Sequence, residues 1–473
     1  MRGLIVSATR SGSGKTLISA AIARILVKAG CKRLGVYKVG PDYIDPGYLA
    51  LGSGSPAFNL DPWAMAHDLL GNLLTRSNYA VIEGAMGLFD GGRDGRGSTA
   101  DLARITGFPV LLVVDARGRA QSIAAEILGF TRFDPHINIA GVILNHLGSV
   151  HHLELIQEGL RASPDPVPII AALGHQPDLT VPARHLGLIQ AEEIADHSRF
   201  LARLEAWGLG LAENLCPIDP ARLVAIMQPS RIATHHRVLP IHSVPFMQLY
   251  PSRLQSAQPR LAIARDQAFA FCYQHWLLGF EQAGIQPHFF SPLADEAPVK
   301  GATHIFLPGG YPELYGRELA SARNFHQGLK AALQHGALIY GECGGYMVLG
   351  RFLIDGDGVP HQQSGLLPIT TSIHTPKRIL GYREIRLGGA HHEGIAGHQV
   401  ECFWAGHEFH FARIAEQDPD QNPQASMGLM RRPGGSEAAQ WRPFGHQAHC
   451  GAGAIMAGFA HCISKLADRA GSD

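Results

Sequence analysis

The residues best suited to chemistry fall into two groups, one early in the chain and one late. In the first, Gly12, Gly14, Lys15 and Thr16 stand within SATRSGSGKTLI (7–18) and fit the pattern G-x-G-K-[ST]. Glycines let backbone N–H groups turn onto phosphate oxygens, and a helix starting there adds its positive end. In such a loop Lys15 reaches the β- and γ-phosphates and the Thr16 hydroxyl ligates Mg²⁺. The stretch therefore reads as a site for ATP and Mg²⁺. One departure is plain: Thr9 stands where the common form of the loop has glycine.

Acidic residues follow at suggestive places. Glu83 ends an apolar run and opens EGAMGLFDG (83–91), the position from which a Walker-B carboxylate holds Mg²⁺. KVGPDYIDP (38–46) puts Lys38, Asp42, Tyr43 and Asp45 in a stiff, proline-braced loop, although Pro and Asp are also what ordinary turns use. Asn145 follows a fifth apolar run and is expected to meet the adenine. PARHLGL (182–188) adds an Arg184–His185 pair.

The second group centres on GECGGY (341–346). Cys343 between small residues, after an apolar run and before a helical pattern, has the logic of a nucleophile elbow. The helix start favours the thiolate, which is the reactive form. Backbone N–H groups at Gly309, Gly310 and Gly344 are the expected oxyanion hole. A cysteine nucleophile needs a base, and His407, His410, His446, His449 and His461 are available. His461, at the end of the apolar stretch 454–463 and ahead of an expected final helix, is the preferred choice.

Positioning these residues requires two α/β domains. Apolar runs at 4–8, 34–39, 79–83, 109–114 and 138–144 alternate with helical pattern, which predicts a doubly wound, mostly parallel sheet. Ligands bind at the carboxyl ends of such strands, where the motifs fall. Residues 196–225 read as helical, and the proline-rich stretch 226–258 as a linker. From 259 to 473 the rhythm restarts, with strands before the polar turn at 265, before PGGYPE (308–313) and before the elbow, a helix at 269–283 and an extended stretch at 287–291. The expected division is an ATP-dependent domain, 1–225, the linker 226–258, and a thiol-bearing domain, 259–473.

Composition narrows the function. Of 473 residues 46% are apolar, and 40 basic side chains balance 40 acidic ones, so a general nucleic-acid footprint is not expected. No apolar run approaches the roughly 20 residues that span a bilayer, and no secretion signal is read at the N-terminus. Seven scattered cysteines without a C-x-x-C pair argue for a reducing compartment, the cytoplasm, and against a disulfide frame or zinc cage. The pairs His151–His152, His235–His236 and His391–His392 read as solvated loop residues.

Taken together, the motifs resemble a known family along nearly the whole chain. The loop A-T-x-x-G-x-G-K-T is similar to that of dethiobiotin-synthetase-like ATP enzymes. KVGPDYIDP, EGAMGLFDG, RHLGL (184–188), LPGGYPELY (307–315), GECGGYMVLG (341–350), LGYRE (380–384) and GHEFH (406–410) resemble the a,c-diamide synthases of corrin biosynthesis. These are glutamine-dependent amidoligases for cobyrinic or hydrogenobyrinic acid. FSPLADEAP (290–298) is closer to the hydrogenobyrinic branch. The resemblance implies a P-loop amidoligase domain followed by a class I glutamine amidotransferase domain, with ATP, L-glutamine and a tetrapyrrole polycarboxylate as partners. It assigns Mg²⁺ to Thr16 and Glu83, the carboxylate substrate to Asp42, Tyr43 and Asp45, and a Cys343–His461 dyad to glutamine hydrolysis. Ala8 replaces a common loop glycine, Gly458 stands in a serine place, and Ile463 occupies the position where most class I enzymes carry an acid. Alternatives are cobyric acid synthase, a nickel-sirohydrochlorin relative, and a P-loop switch ATPase with a non-catalytic second domain. A homodimer is the candidate assembly.

Overall fold

The computed structural model describes residues 1–92, 95–179, 181–184, 187–210, 215–232, 244–248, 259–387, 402–417, 426–433 and 440–466. The chain divides into two units, Met1–Arg237 and Val238–Asp473.

The first unit alternates strands and helices: β1 (Arg2–Ala8), α1 (Lys15–Lys28), β2 (Leu34–Val39), α2 (Asp45–Ser53), β3 (Ala57–Leu60), α3 (His67–Leu74), β4 (Tyr79–Glu83), α4 (Thr99–Thr106), β5 (Val110–Asp115), α5 (Ile123–Phe133), β6 (Ile139–Leu147), α6 (Val150–Arg161) and β7 (Ile169–Gly174). A short ribbon, β8 (Ala183–Arg184) and β9 (Gly187–Leu188), then α7 (His197–Gly208), α8 (Pro220–Ile226) and β10 (Gln228–Pro229) complete it. The sheet order is β3-β2-β4-β1-β5-β6-β7 with all seven strands parallel, and β10 pairs antiparallel with β1. Strands such as β5, VLLVVD, are buried at every residue, as expected where helices cover both faces. Central β1 aims its carboxyl end at the glycine loop. β2 and β4 lie on one side of it and β5 on the other.

Several expectations are corrected here. The strands β3 and β7 were not foreseen, and the stretch 196–225, expected to be helical, holds two helices, α7 and α8, with non-helical chain at residues 215–219. The expected linker begins too early, because Gln228–Pro229 pairs with Arg2 and Gly3 of the first sheet. His151 and His152 lie in α6, not in a loop; His235, His236, His391 and His392 lie outside the described residues.

The second unit opens with a helical turn, α9 (Pro245–Gln248), whose Phe246 is buried among the rings of Trp276, Phe280, Phe306 and Tyr340. So part of the expected linker belongs to this core. Its strands are β11 (Leu261–Ala264), β12 (His288–Phe290), β13 (His304–Leu307), β14 (Leu338–Glu342), β15 (Phe352–Ile354), β16 (Pro360–Gln362), β17 (Ile369–Ser372), β18 (Ile379–Leu387), β19 (Cys402–His410), β20 (Arg413–Gln417), β21 (Gly428–Arg431), β22 (Arg442–Phe444), β23 (His446–Cys450), β24 (Gly453–Gly458) and β25 (His461–Lys465). The core sheet runs β12-β11-β13-β14-β24-β23, parallel except for β23. Two further sheets were not read from the sequence: β16-β15-β17-β20 and the antiparallel β22-β21-β18-β19-β25. The helix expected at 269–283 starts at Gln274, because Asp266–Phe269 closes a turn and Phe271 bridges to Gly309. The apolar stretch 454–463 is likewise two strands in different sheets, broken at Phe459–Ala460. The expected final helix lies outside the described residues. All seven cysteines are free, and among the described residues no helix is long and apolar enough to cross a membrane.

Helices α1 and α2 meet at Gly52, where an added Cβ would sit 2.5 Å from the Ala20 carbonyl oxygen. Two residues on, Gly54 ends α2 with φ +69° and open space beside it. The two glycines are thus required for different reasons, crowding and handedness. Gly52→Asn should lower the melting temperature by the equivalent of about 1–3 kcal/mol of overpacking. Gly54→Asn should be close to neutral, since asparagine tolerates the left-handed region. Paired thermal melts of the two variants check this.

Candidate active sites

The first centre forms where β1, β2 and β4 end side by side. Gly12 and Gly14 both have positive φ, +76° and +89°, so the loop curls back on itself before α1 begins at Lys15. Asn145, at the end of β6, donates from Nδ2 to the Ser13 carbonyl at 2.9 Å, and its Oδ1 accepts the His146 N–H. A Cβ at Gly14 would meet that Nδ2 at 2.3 Å. Each polar end of Asn145 thus makes one bond to the main chain. It braces the loop through the Ser13 carbonyl.

Thr16 Oγ1 donates to Glu83 Oε1 at 2.8 Å, and Lys15 Nζ donates to the Met86 carbonyl at 2.5 Å. Lys38 lies at the centre of the acidic groups. Its Nζ is 2.6 Å from Asp45 Oδ2, 3.0 Å from Glu83 Oε1 and 3.9 Å from Asp42 Oδ2, and it also donates to the Gly84 carbonyl. Asp42 Oδ1 accepts the N–H groups of Ile44 and Asp45, which fixes the loop at the start of α2. Asn59 adds two bonds, to the carbonyls of Gly40 and Asp42. Thus Thr16, Glu83, Asp42 and Asp45 come together as the motifs implied, with Tyr43 half-buried in the same loop.

The electrostatics follow from burial around one cation. Burial alone would discharge Lys38, but Asp45 and Glu83 outweigh it and hold the ammonium charged. Asp45 is likewise pushed up by burial and brought below its ordinary value by Lys38. Glu83 rises to about 7 because burial exceeds what Lys38 returns, and Asp42 rises to about 6 through burial and the neighbouring Asp45 charge. Lys15 falls to about 8 through burial and repulsion from Lys38. The negative charge of a phosphate chain in such a loop would favour the Lys15 cation. Glu83 Oε2 is buried without a hydrogen bond, beside the Thr16 hydroxyl. An open carboxylate oxygen next to a hydroxyl fits Mg²⁺, a hard cation that takes oxygen donors.

Neighbouring β5 ends in a second charged group that the sequence did not flag. Buried Asp115 accepts from Arg117 at 2.6 Å, Arg10 at 2.9 Å and His146 at 3.1 Å. Burial pushes its carboxyl up, but the Arg117 and His146 bonds hold it well below the usual range. Arg184 is tied to Glu193 by two bonds, 2.7 and 2.6 Å, and so braces the β8–β9 ribbon. His185 lies outside the described residues.

The second centre is the elbow between β14 and the helix Gly344–Leu349. Cys343 has φ +48° and ψ −103°, a backbone that L-residues rarely adopt. Packing enforces it: a Cβ at Gly345 would stand 1.9 Å from the Leu307 carbonyl oxygen, and one at Gly344 would be 2.8 Å from Pro312. The Cys343 N–H donates to Gly458 O at 2.8 Å, so that position supports the elbow through its main chain. Gly310, with a Cβ position 2.1 Å from the Ala268 carbonyl oxygen, lies with its own nitrogen 3.1 Å from the Gly344 Cβ position. The three expected oxyanion glycines therefore gather around Cys343. Burial, then Glu313, raises the thiol well above its ordinary value, while the Gly344 N–H opposes the shift.

His461 opens β25 directly beside this group. Its ring lies against Gly309, where a Cβ would meet Cε1 at 2.5 Å and Nε2 at 3.2 Å. On another side it stacks on His407, centroids 5.0 Å apart and planes 12° from parallel. His461 Nδ1 is 3.4 Å from Glu342 Oε2. The other histidines are engaged elsewhere. His410 Nδ1 bonds to the Ala412 carbonyl and its ring stacks on Phe459. His446 bonds to the Tyr346 hydroxyl. His449 is exposed and pairs with Ala454, at the opposite end of β24 from Gly458. At Ile463 the carbonyl, not a side chain, is used: it accepts from His275 and Trp276.

Comparison with known proteins agrees with this two-centre layout. Residues 4–189 match the CobQ/CobB/MinD/ParA nucleotide binding domain. Residues 260–465 match the CobB/CobQ-like glutamine amidotransferase domain. The chain is 42% identical over 423 residues to the hydrogenobyrinate a,c-diamide synthase of Brucella abortus, covering 88% of this chain and 91% of that one. It is 41% identical over 427 residues to the enzyme of that name from Mesorhizobium japonicum, with 89% and 91% covered. For the Rhizobium meliloti enzyme the identity is 38% over 425 residues, with 88% and 91% covered.

Lys38 is the residue on which the first centre's charge balance turns. Lys38→Met leaves Asp45 and Glu83 buried without their cation, a loss on the order of 3–5 kcal/mol. The variant should melt earlier and fail to consume ATP, while Cys343 keeps its reactivity toward an alkylating agent. Calorimetry, ADP release and mass-spectrometric thiol labelling measure the three effects.

Proposed function

The chain belongs to the hydrogenobyrinate a,c-diamide synthase family, and we propose on that footing that it amidates the a and c acetate carboxylates of hydrogenobyrinic acid. It is a carbon–nitrogen ligase of cobalamin biosynthesis that takes its nitrogen from L-glutamine and its driving force from ATP. The amidoligase work is assigned to the first unit and the glutaminase work to the second. The name shared by the relatives favours the metal-free macrocycle over cobyrinic acid as substrate. Seven free thiols favour the cytoplasm as its place of work.

In the first unit a substrate carboxylate oxygen attacks the γ-phosphorus of ATP, giving an acyl phosphate and ADP. Lys15 and the loop N–H groups hold the phosphate chain, whose charge develops on the transferring group. Thr16 and Glu83 would hold Mg²⁺, which when bound neutralises charge on the β- and γ-phosphates. Asp42, Tyr43 and Asp45 orient the incoming carboxylate, with Lys38 offsetting the negative charge that accumulates there. Ammonia then attacks the acyl carbon, the carbon–oxygen bond to phosphate breaks, and phosphate leaves with that bond's electrons.

Ammonia is made in the second unit. His461 takes the thiol proton from Cys343, and the sulfur attacks the side-chain amide carbon of glutamine. The Gly309, Gly310 and Gly344 region receives the oxyanion. The proton passes to the departing nitrogen, ammonia leaves, and water hydrolyses the thioester to glutamate and the free thiol. The observation that carries this reading is the strained Cys343 elbow in the same chain as a nucleotide loop wired to a buried lysine–carboxylate cluster.

Cys343→Ala should abolish glutamine-dependent synthesis and spare synthesis from free ammonia. Lys15→Ala should abolish both, since losing one preorganised charge contact costs about 10²–10³ in rate. Mass spectrometry of products from metal-free and cobalt-bearing tetrapyrroles tests the substrate as well. A gain of two amides on the metal-free compound is expected; glutamine use by Cys343→Ala would falsify the glutaminase assignment.

A further inference from the structure

The established class I arrangement places an acid two residues after the base, and Ile463 stands there in this chain. The fold supplies a carboxylate from another direction. Glu342, the last residue of β14 and the neighbour of the nucleophile, is 1% exposed. Its Oε1 accepts from the Tyr340 hydroxyl and from the Cys462 N–H, both at 2.9 Å. Those two donors hold the carboxylate in one orientation, with Oε2 facing His461 Nδ1 at 3.4 Å. Resting on the Cys343–His461 reading, we propose that Glu342 is the third member of the glutaminase centre. It is a positioning residue that keeps His461 protonated at Nδ1 and leaves Nε2 to take the Cys343 proton.

The chemistry of the partners dictates the tautomer. An ionised carboxylate can accept a hydrogen bond but not donate one, so Nδ1 facing it must carry the hydrogen. The lone pair is then on Nε2, the nitrogen that lies against Gly309 and the oxyanion loop. Stacking on His407 and the closeness of Gly309 keep the ring from turning over.

Other charged groups around the pair act in opposite senses. Burial, then His461, Arg383 and His410, hold the neighbouring His407 neutral. Glu313, Glu342 and Glu408 all oppose thiolate formation at Cys343 in the resting site, so what Glu342 contributes lies at the imidazole and not at the sulfur. An imidazolium formed by proton transfer needs a compensating anion in contact, and Glu342 stands at that place.

Glu342→Gln separates positioning from packing. The amide oxygen still accepts from Tyr340 and Cys462, while the amide nitrogen now donates to Nδ1 and forces the hydrogen onto Nε2. In serine triads the equivalent change costs on the order of 10⁴ in kcat. Here kcat for glutamine hydrolysis at pH 7 should fall about 10²–10⁴-fold, with KM for glutamine little changed and ammonia-dependent synthesis intact. The residual rate, and alkylation of Cys343 by iodoacetamide, should climb with pH as hydroxide takes over from the base. Glu342→Asp should recover part of the loss. A Glu342→Gln enzyme within a few-fold of the parent, with the parent's pH profile, overturns the proposal. If Cys343→Ala or His461→Ala also still used glutamine, the dyad reading itself would be at fault. Should Glu342→Gln lose ammonia-dependent synthesis through misfolding, ¹⁵N shifts of His461 in the parent enzyme decide. A hydrogen on Nδ1 supports the proposal, and one on Nε2 refutes it.

Discussion

The first unit is arranged around an ammonium group kept inside the protein. Lys38 is 3% exposed at its side chain, and its partners come from three segments: its own strand's loop, the start of α2, and the end of β4. A buried charge without partners would lose its proton or unfold the site. Pairing with Asp45 and Glu83 removes that option and ties β2 to β4 at the end where the nucleotide loop lies. Thr16 joins through Glu83, and Asp42 through the turn it caps. The same contacts that keep the cation charged therefore set the positions of every acidic residue of the site.

The second unit obeys a constraint of space. Around Cys343 the chain passes so close to itself that glycine is the residue that fits, with β13's carbonyl against Gly345 and the Ala268 carbonyl against Gly310. Those close approaches hold the nucleophile at φ +48° and bring the PGGYP turn, the elbow and the His461 ring into one group. Position in the fold follows from what cannot be larger.

How much of this was readable beforehand depends on distance along the chain. The nucleotide loop and the elbow are local: strand, glycines, reactive residue and helix are consecutive, so the pattern carries the geometry. The neighbour relation of β2 and β4 is not consecutive, and with it went the role of Lys38, although the lysine sat in full view in KVGPDYIDP. The bracing role of Asn145 was equally hidden, because its amide meets a carbonyl far away in sequence, at Ser13. The two extra sheets were missed because β15, β16 and β17 are only three or four residues long, while the nine-residue β18 and β19 each carry an interior glycine, Gly381 and Gly406. Glu342 was passed over for a related reason. The usual place for an acid is counted from the histidine, yet β24 breaks at Phe459 and β25 enters another sheet, so the acid comes from the nucleophile's own strand.

Cys343 is 4% exposed, and burial together with the surrounding carboxylates holds its sulfur in the neutral form. Peroxide and other oxidants attack exposed thiolates far faster than secluded thiols. A sulfur held this way is chemically insulated: buried and neutral, it presents little for an oxidant to take.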